Sequence, residues 1–357
     1  MKVIAIAAGG TSGHIQPAIT TAQQIKESKK EVEVFFIGTS KGLEQEIIPA
    51  KGFELNLIPA VPLPRSINLR TLFFPFSLIS AVSIARKILK NKDVDCVIGF
   101  GAYISMPVYL AAFIEKIPII IHEGNRKAGF ANKFGALFTK HIFQMFSGSL
   151  KNAKTIGMPV RKELIDLDRS ILKSTALSFF DLAKDKKTLF IFGGSQGASK
   201  INDLIYELIP NLVKNNIQIL HSIGKRNQLR DDLKSIEMYH PISYIEKMEY
   251  AYAAADLVIS RAGAMTIAEQ TVAGIPAIYI PFAVGNGEQI HNVKDLISAD
   301  AGVLIEEKEL NKDKLEKLII SLISDDSKLQ KMSNNAKSFA QTNAAQILAD
   351  KAIELVK

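Results

Sequence analysis

The sequence predicts an α/β protein of two domains, each built on a parallel sheet. Short apolar runs alternate with helical patterns along the chain, as they do in open parallel sheets covered by helices. The chain has 357 residues, whereas a single core stops growing at about 250–300 residues. The opening of the chain is also echoed near its middle. Two similar sheets in tandem account for all three observations.

Ten apolar runs are predicted as strands. Each is short, and most are separated by amphipathic stretches long enough for a helix. Near-continuous apolar runs of this kind are typical of strands that are buried on both faces. The predicted strands are residues 2–7, 32–37, 54–58, 94–99, 117–121, 141–144, 187–192, 217–221, 256–259 and 276–280.

Two glycine-rich segments that follow predicted strands resemble each other. Residues 7–18 read AAGGTSGHIQPA, and residues 193–198 read GGSQGA. The first segment has neither the P-loop lysine nor the GxGxxG spacing, which excludes the named phosphate loops. We expect a helix to start near Ile15, with Pro17 in its first turn, and to direct its positive end at an anion. An ordinary tight turn with a solvent-facing His14 fits this stretch equally well.

The domain boundary is predicted where Gly157-Met158-Pro159 breaks the pattern. We expect a first domain over residues 1–160, a second over 161–340, and a C-terminal helix over 341–357 that packs back on the first domain. Ligands bind beyond the carboxyl ends of the strands in such sheets. The two domains would therefore face each other across a ligand-binding cleft.

Three more polar segments follow predicted strands: 122–125, 261–269 and 281–292. The helix start in the second segment offers N–H groups to a phosphate, and Glu269 can accept hydrogen bonds from a diol, although a solvated helical glutamate is the plainer interpretation. The third segment offers amide and carboxylate groups to sugar hydroxyls. Neither an Asp-x-Asp pair in a suitable context nor a spacing typical of metal ligands is visible, so we expect no metal.

The net charge of +8 predicts an anionic partner. The apolar segment 72–85 is flanked by cations, and no acidic residue occurs between positions 65 and 92. This pattern fits binding to anionic lipid, or a core-facing helix with solvated ends. Nucleic acid ranks lowest as a partner, because no RNP-like motif, zinc spacing or long basic run is present. The flanking cations are Arg65, Arg70, Arg86, Lys87, Lys90 and Lys92.

Two observations concern location. No apolar run reaches the roughly 18–20 residues that a membrane span needs. The single cysteine, Cys96, excludes an internal disulfide and fits a reducing cytosol.

Six collinear segments resemble the MurG family of glycosyltransferases, which transfer N-acetylglucosamine (GlcNAc) from UDP-GlcNAc to the undecaprenyl-diphosphate-linked muramyl peptide called lipid I. The resemblance covers nearly the whole chain and implies the GT-B fold, in which two Rossmann-like domains face each other across a cleft. It implies that the C-terminal domain holds most of UDP-GlcNAc and that lipid I approaches the N-terminal domain. The segments are GGTSGHIQPA at 9–18, GFGAYISMPVYLAA at 99–112, HEGNRKAGFANK at 122–133, GMPVR at 157–161, GGSQGA at 193–198 and RAGAMTIAE at 261–269.

The resemblance also implies roles for single residues. His14 is the expected catalytic base of an inverting displacement by the muramyl 4-hydroxyl, and Glu123 and His122 are less favoured as bases. The implied donor contacts are Thr11, Ser12 and Gly13 at the sugar and diphosphate, Asn125, Arg161 and Ser195 as further contacts, Ile245 at uracil through its backbone, Ala264, Met265, Thr266, Ile267 and Ala268 at phosphate, Glu269 at the ribose hydroxyls, and Gln289 at GlcNAc.

The chain departs from the usual pattern of the family at three places. Ser12 and Gly124 stand where glycine and glutamine are usual, and residues 285–288 read GNGE where more polar or acidic residues are common. These differences bear on the sugar contacts and leave the implied reaction class unchanged.

The implied partners are UDP-GlcNAc, lipid I and an anionic membrane surface, without nucleic acid, cofactor or tightly bound metal. The implied location is peripheral, on the cytoplasmic face of the bacterial plasma membrane. Three alternatives share the architecture: a GT-B enzyme that makes glycolipid from diacylglycerol, a UDP-GlcNAc 2-epimerase, and a non-catalytic sugar-nucleotide sensor. His14 and the two glycine turns argue against the sensor.

Overall fold

A computed structural model of the protein describes residues 2–62, 69–194, 197–233, 235–282 and 287–356, with the backbone alone for residues 69–72. The chain divides into two compact units. The first comprises Met1–Arg161 together with Gln341–Lys357, and the second comprises Lys162–Ala340. Each unit is built on its own parallel sheet.

The first unit contains a seven-stranded parallel sheet in the order β3-β2-β1-β4-β5-β6-β7. Since β1 lies between β2 and β4, the winding of the chain changes direction there, and such a switch point is where ligands bind in open α/β sheets. The strands are β1 (Val3–Ala7), β2 (Glu33–Thr39), β3 (Leu55–Ile58), β4 (Cys96–Gly99), β5 (Ile119–Glu123), β6 (His141–Gln144) and β7 (Lys154–Thr155).

Helices cover both faces of this sheet. Ile4 and Ile6 of β1 face a core shared with the first and last helices of the unit, whereas Ala5 faces a core shared with its third and fourth helices. The alternation of β1 side chains thus supplies two cores at once. The helices are α1 (Ser12–Ser28), α2 (Glu44–Ala50), α3 (Leu69–Asn91), α4 (Ala102–Ile114), α5 (Phe130–Gly135) and α15 (Ala344–Leu355).

The second unit contains a six-stranded parallel sheet in the order β10-β9-β8-β11-β12-β13. Its switch point lies between β8 and β11, so each unit places its first strand beside its fourth described strand. The strands are β8 (Lys187–Phe192), β9 (Ile217–Ser222), β10 (Tyr239–Ile242), β11 (Leu257–Ser260), β12 (Ala277–Tyr279) and β13 (Gly302–Leu304). The helices are α6 (Lys162–Ile165), α7 (Arg169–Phe179), α8 (Ser199–Lys214), α9 (Met248–Ala254), α10 (Ala264–Ala273), α11 (Glu288–Asn292), α12 (Lys294–Ser298), α13 (Lys312–Ile323) and α14 (Asp326–Lys337).

The predicted strands agree with the structure except at their ends. The sequence does not predict β7, β10 or β13, which are three of the four outer strands of the two sheets. The predicted start of α1 near Ile15 is wrong. The helix begins at Ser12, because the carbonyl of the extended Thr11 already accepts the N–H groups of His14 and Ile15 at 3.1 and 3.2 Å. Within the described ranges, no helix is both long enough and apolar enough to cross a membrane.

Candidate active site

The first glycine turn joins β1 to α1 at the carboxyl edge of the first sheet. Gly10 has a φ of +85°, a left-handed conformation that is strained for a residue with a Cβ. The side chain of the N-cap residue Thr11 makes no capping hydrogen bond, and the first turn of α1 contains no acidic residue. The first N–H groups of a helix lack intrahelical acceptors and carry the positive end of its dipole. The start of α1 is therefore suited to an oxyanion.

A buried carboxylate holds this turn in place. Oε2 of Glu44 accepts the N–H of Gly10 at 2.9 Å, and Oε1 accepts the N–H and the hydroxyl of Thr39 at 3.0 and 2.8 Å. Glu44 is fully buried, and a Cβ at Gly9 would lie 2.6 Å from Oε1. Because Glu44 takes the N–H of Gly10, the donors left to a ligand are those at the start of α1. The only sequence signal for this role of Glu44 is the set of glycines that leave room for its side chain, Gly9, Gly38 and Gly42.

The predicted catalytic residue lies in the first turn of α1. Nδ1 of His14 is 3.1 Å from Oγ1 of Thr11, on the exposed side of the turn. The structure therefore brings Thr11, Ser12, Gly13 and His14 together in one turn. A hydroxyl on Nδ1 fixes the orientation of the imidazole ring, which is the condition a general base requires.

The two less favoured bases have structural roles at the end of β5. Nε2 of His122 donates to the carbonyl of Gly157 at 2.8 Å, and burial lowers the pKa of His122 to about 4, so this ring is neutral. Glu123 accepts the N–H groups of Asn125 and Gly129 at 2.8 and 3.1 Å, and burial raises its pKa. These contacts hold the loop that carries Asn125 and argue against either side chain as the base.

The second glycine turn joins β8 to α8. Gly194 and Gly197 have φ values of +90° and +78°. A Cβ at Gly197 would overlap the carbonyl oxygen of Ile223, so the turn packs directly against that backbone. The predicted donor contact Ser195 lies outside the described residues.

A buried polar network packs beside this turn. Asn202 of α8 donates from Nδ2 to the carbonyl of Ile223 at 2.9 Å, and its Oδ1 lies 3.1 Å from Nε2 of His221. Oδ1 can only accept, so Nε2 carries the proton, and Nδ1 accepts from the hydroxyl of Tyr239 at 3.0 Å. Burial lowers the pKa of His221 to about 3, in agreement with a neutral ring. The sequence analysis missed this network.

The predicted phosphate-binding residues, 264–268, form the start of α10 directly after β11. Gly263 is the N-cap, no described side chain caps the helix, and its first turn lacks acidic residues. The next residue, Glu269, is 8% exposed, and its Oε2 accepts a hydrogen bond from the hydroxyl of Tyr252 at 3.2 Å. A helix end suited to phosphate thus lies one turn from a carboxylate suited to a diol.

Gln289 connects α11 to the start of α10. Its Oε1 accepts the N–H groups of Ala262 and Phe282 at 3.2 and 2.9 Å. Arg261 donates to two carbonyls just after β12 and, from Nη2, to Glu307 at 2.7 Å. The guanidinium of Arg261 is therefore engaged within the protein. Since Oε1 of Gln289 already accepts two N–H groups, its amide nitrogen is the atom suited to donate to a ligand.

The remaining predicted site residues are placed separately. Ile245 is buried in the segment between β10 and α9. Arg161 is partly exposed and lies at the end of Met1–Arg161, just before the chain enters the second unit. Over the described part of the chain, no group of three or more His, Cys, Asp or Glu residues could hold a metal ion.

Two family models match the chain: the glycosyltransferase family 28 N-terminal domain over residues 4–144 and the family 28 C-terminal domain over residues 188–350. Relatives that carry the name UDP-N-acetylglucosamine–N-acetylmuramyl-(pentapeptide) pyrophosphoryl-undecaprenol N-acetylglucosamine transferase match the chain over nearly its whole length. The one from Corynebacterium diphtheriae is 41% identical over 355 residues, which are 99% of this chain and 97% of the relative. The one from Thermobifida fusca is 38% identical over 360 residues, covering 100% of this chain and 95% of the relative.

The crystal structure of MurG from Acinetobacter baumannii matches this fold with a TM-score of 0.79 at 26% identity, over 99% of this chain and 100% of that one. The chain belongs to the MurG family. Membership confirms the resemblance that the sequence indicates, the two Rossmann-like domains of the GT-B class, and a glycosyltransferase activity.

This MurG-family chain exposes apolar side chains on α3 and on the end of α4. Phe73, Phe76 and Ile79 are 64%, 69% and 66% exposed. Phe113 and Ile114 of α4, which packs against α3, are also exposed. We call Phe73, Phe76 and Ile79, which lie on successive turns of α3, the apolar patch.

Several of the cations that flank the apolar segment 72–85 form ion pairs with acidic residues from elsewhere in the chain. Arg86 and Lys90 both pair with Glu115 of the segment after α4, at 2.6 and 3.2 Å, and hydrogen bonds from Arg86 lower the pKa of Glu115. Lys92 pairs with Glu54 at 2.8 Å. Lys87 is exposed and has no ion pair among the described residues. Arg65 and the side chain of Arg70 lie outside the described residues.

Proposed function

We propose that the protein transfers GlcNAc from UDP-GlcNAc to the muramyl 4-hydroxyl of lipid I and so forms lipid II for peptidoglycan synthesis. The observation that carries this proposal is the full-length similarity to transferases of that name. The geometry supports it, because each unit has a glycine turn and an uncapped helix start beside its switch point. Both features suit a substrate that carries a diphosphate.

The reaction is a single inverting displacement at C1 of GlcNAc. The 4-oxygen of the acceptor attacks from the face opposite the diphosphate, the bond between C1 and the diphosphate oxygen breaks, and UDP leaves with the bonding electron pair. Nε2 of His14 takes the proton of the 4-hydroxyl while Nδ1–H donates to Oγ1 of Thr11. Proton removal by a positioned base strengthens the nucleophile as it attacks.

The charge that develops on the diphosphate is stabilised by fixed dipoles and a cation. The N–H groups at the starts of α1 and α10 and the guanidinium of Arg161 have this role in the proposal. Preorganised donors need no reorientation during the reaction, which is why they stabilise a transition state effectively. The proposed mechanism uses no metal and no cofactor.

The donor is recognised through groups of different chemistry. The backbone of Ile245 contacts uracil, and Glu269 accepts hydrogen bonds from the ribose hydroxyls. Gln289 donates from Nε2 to GlcNAc, since its Oε1 already accepts two backbone N–H groups. Asn125 and Ser195 supply further donor contacts.

The protein acts at the cytoplasmic face of the bacterial plasma membrane, where its acceptor is anchored. The apolar patch supports this part of the proposal, because it exposes three large apolar side chains on successive turns of one helix. Interfacial binding combines buried apolar area with attraction of cations to anionic lipid, and Lys87, exposed further along α3, supplies such a cation.

One assay tests the proposal against its alternatives. Labelled UDP-GlcNAc is incubated with the purified protein and a lipid I analogue, with diacylglycerol, or alone. We expect label on the lipid I analogue only. Label on diacylglycerol alone would identify a glycolipid synthase, formation of UDP-ManNAc without acceptor would identify a 2-epimerase, and binding without turnover in any arm would identify a sensor.

A further inference from the structure

The hydroxyl of Tyr252 donates a hydrogen bond to the carboxylate of Glu269, and this contact has no part in the chemical step of the transfer reaction. We propose that Tyr252 is a positioning residue that orients Glu269 for the ribose of the donor nucleotide. The inference rests on the proposed donor-binding role of Glu269. It adds a residue that does not contact the nucleotide and explains how a flexible side chain is held ready for two adjacent hydroxyls.

The side chain of Tyr252 is fixed by its surroundings. Tyr252 is fully buried on α9. Its ring meets Phe190 and Phe192 of β8 edge to face, with centroid separations of 6.0 and 6.2 Å. Phe190 and Phe192 stack on each other at 4.9 Å. Close packing on the ring fixes the direction of the whole side chain, so the hydroxyl oxygen at its end is held in one place.

That place is Oε2 of Glu269, which lies 3.2 Å from the hydroxyl oxygen. The last torsion of a glutamate is broad, so a carboxylate on a helix can present its oxygens in many orientations. A hydrogen bond to Oε2 restricts this rotation. Each carboxylate oxygen can accept more than one hydrogen bond, so Glu269 can accept from Tyr252 and from both ribose hydroxyls.

The burial of Glu269 makes the orientation matter for affinity. At 8% exposure the carboxylate has little water to compensate for a poorly directed hydrogen bond, and a misdirected polar group in a desolvated site weakens binding. Immobilising a side chain at the moment of binding also has an entropic cost, which a preformed orientation removes. Tyr252 therefore tightens nucleotide binding without contributing to the chemical step.

The experiment measures Kd by calorimetry for UDP and for 2′-deoxy-UDP with Tyr252→Phe, Glu269→Ala, the double variant and the parent. Phenylalanine keeps the ring and removes only the hydroxyl. Tyr250→Phe is the matched control, because Tyr250 lies on the same helix with its ring on Phe179 at 5.0 Å. Thermal unfolding is recorded for every variant.

We expect Tyr252→Phe to weaken the binding of UDP about two- to tenfold and Glu269→Ala to weaken it about ten- to a hundredfold. The double variant binds UDP as Glu269→Ala does, because the hydroxyl acts only through the carboxylate. The loss is smaller for 2′-deoxy-UDP, which offers one hydroxyl fewer. The kcat at saturating donor is unchanged in Tyr252→Phe, and Tyr250→Phe behaves as the parent.

Three results would overturn the inference. The first is parental affinity for UDP in Tyr252→Phe, and the second is an equally large loss of affinity when Tyr252→Phe is added to Glu269→Ala. The third is a loss of affinity in Tyr252→Phe that is equal for UDP and 2′-deoxy-UDP. Parental UDP affinity in Glu269→Ala would remove the ribose role of Glu269 and this inference with it. Transfer of GlcNAc to the lipid I analogue would still stand in that case, so the two failures are distinguishable.

Discussion

Oγ1 of Thr11 and Nδ1 of His14 lie 3.1 Å apart in the first turn of α1. A hydroxyl can donate to an imidazole nitrogen or accept from it, and the two choices give the ring opposite chemistry. If the hydroxyl donates, Nε2 carries the proton and cannot act as a base. If Nδ1–H donates, Nε2 is the unprotonated nitrogen and carries the lone pair that a base needs. Catalysis by His14 therefore requires Thr11 to accept.

The first prediction concerns the base. His14→Ala lowers turnover about 10²- to 10⁴-fold, the usual share of general base catalysis. Donor affinity stays within a few-fold of the parent, because the variant keeps the N–H groups at the start of α1 that we propose bind the diphosphate. Single-turnover transfer to a lipid I analogue and calorimetry with UDP-GlcNAc measure the two quantities. Near-parental turnover in a folded variant would remove His14 from the mechanism.

The second prediction concerns the hydroxyl of Thr11. Thr11→Val keeps the shape of the side chain but cannot accept from Nδ1–H, so it lowers kcat, and it causes no further loss in the His14→Ala background. Thr11→Ser restores the hydroxyl and most of the activity. Equal activity of the valine and serine variants would mean that the contact at 3.1 Å does not orient the ring.

The third prediction concerns the carboxylate beneath the turn. In Glu44→Gln the amide cannot accept at both ends, so a donor faces the N–H of either Gly10 or Thr39. An unsatisfied buried donor costs about 1–3 kcal/mol, which corresponds to a fall in Tm of about 2–12 °C for a unit of this size. Turnover falls as well, because the Gly10 turn that precedes His14 is released.

The matched control for this prediction is Ile48→Val on the same helix. Ile48 is fully buried, and the change costs about 0.5–1.5 kcal/mol. We expect this variant to lose stability and to keep parental turnover. If both variants lose activity in proportion to stability, Glu44 has no special role at the turn.

The sequence predicted correctly those features that depend on the residues close together in the chain, which are the strands and the turns that follow them. Mostly apolar runs such as 187–192 predicted buried parallel strands, and the two glycine-rich segments predicted the turns that follow β1 and β8. Pattern fails where structure depends on partners distant in the chain. β10 contains Pro241 and lies at a sheet edge, where pairing on one side suffices.

The same limit explains the residues that were missed or misjudged in the site. Glu44 is recognisable only once Gly10 and Thr39 are seen to surround it. The sequence gives no sign that Arg86 is paired, because its partner, Glu115, is 29 positions away. Tyr252 and Glu269 meet across two helices, which no spacing rule of a single helix predicts.

The fourth prediction concerns the apolar patch. Phe73→Ser combined with Phe76→Ser reduces flotation with vesicles of anionic phospholipid, because each phenylalanine contributes about 1.5–3 kcal/mol when it is buried in the interface. Lys87→Glu weakens binding to anionic vesicles and leaves binding to neutral vesicles unchanged, since a basic residue contributes about 1 kcal/mol only at a charged surface. Lys87 is preferred to Arg86 for this test because Arg86 is paired with Glu115.

The control for flotation is Ile171→Ser, which removes an exposed isoleucine from the second unit. It should float as the parent does. Unchanged flotation of the double phenylalanine variant would show that this face does not bind lipid.

The fifth prediction concerns pH. Burial lowers the pKa of His221 to about 3 and that of His122 to about 4, whereas both titrate near 6.5 in the unfolded chain. The unfolded state then binds more protons than the folded state below pH 6.5, so stability falls as pH decreases from about 6.5 toward these values. The loss approaches about 1.4 kcal/mol per pH unit for each ring. Glu123 acts in the opposite direction, because burial raises its pKa.

Comparing the parent with His221→Gln isolates the contribution of one ring, because Glu123 and His122 are present in both proteins. Glutamine can still donate to Oδ1 of Asn202, which now accepts from Nε2 of His221 at 3.1 Å, but it does not titrate. The variant should be less stable than the parent at pH 7.5, and its Tm should fall less steeply between pH 6.5 and pH 4.5. Parallel Tm profiles over this range would mean that the Asn202–His221–Tyr239 network can hold a protonated ring, contrary to its hydrogen-bond geometry.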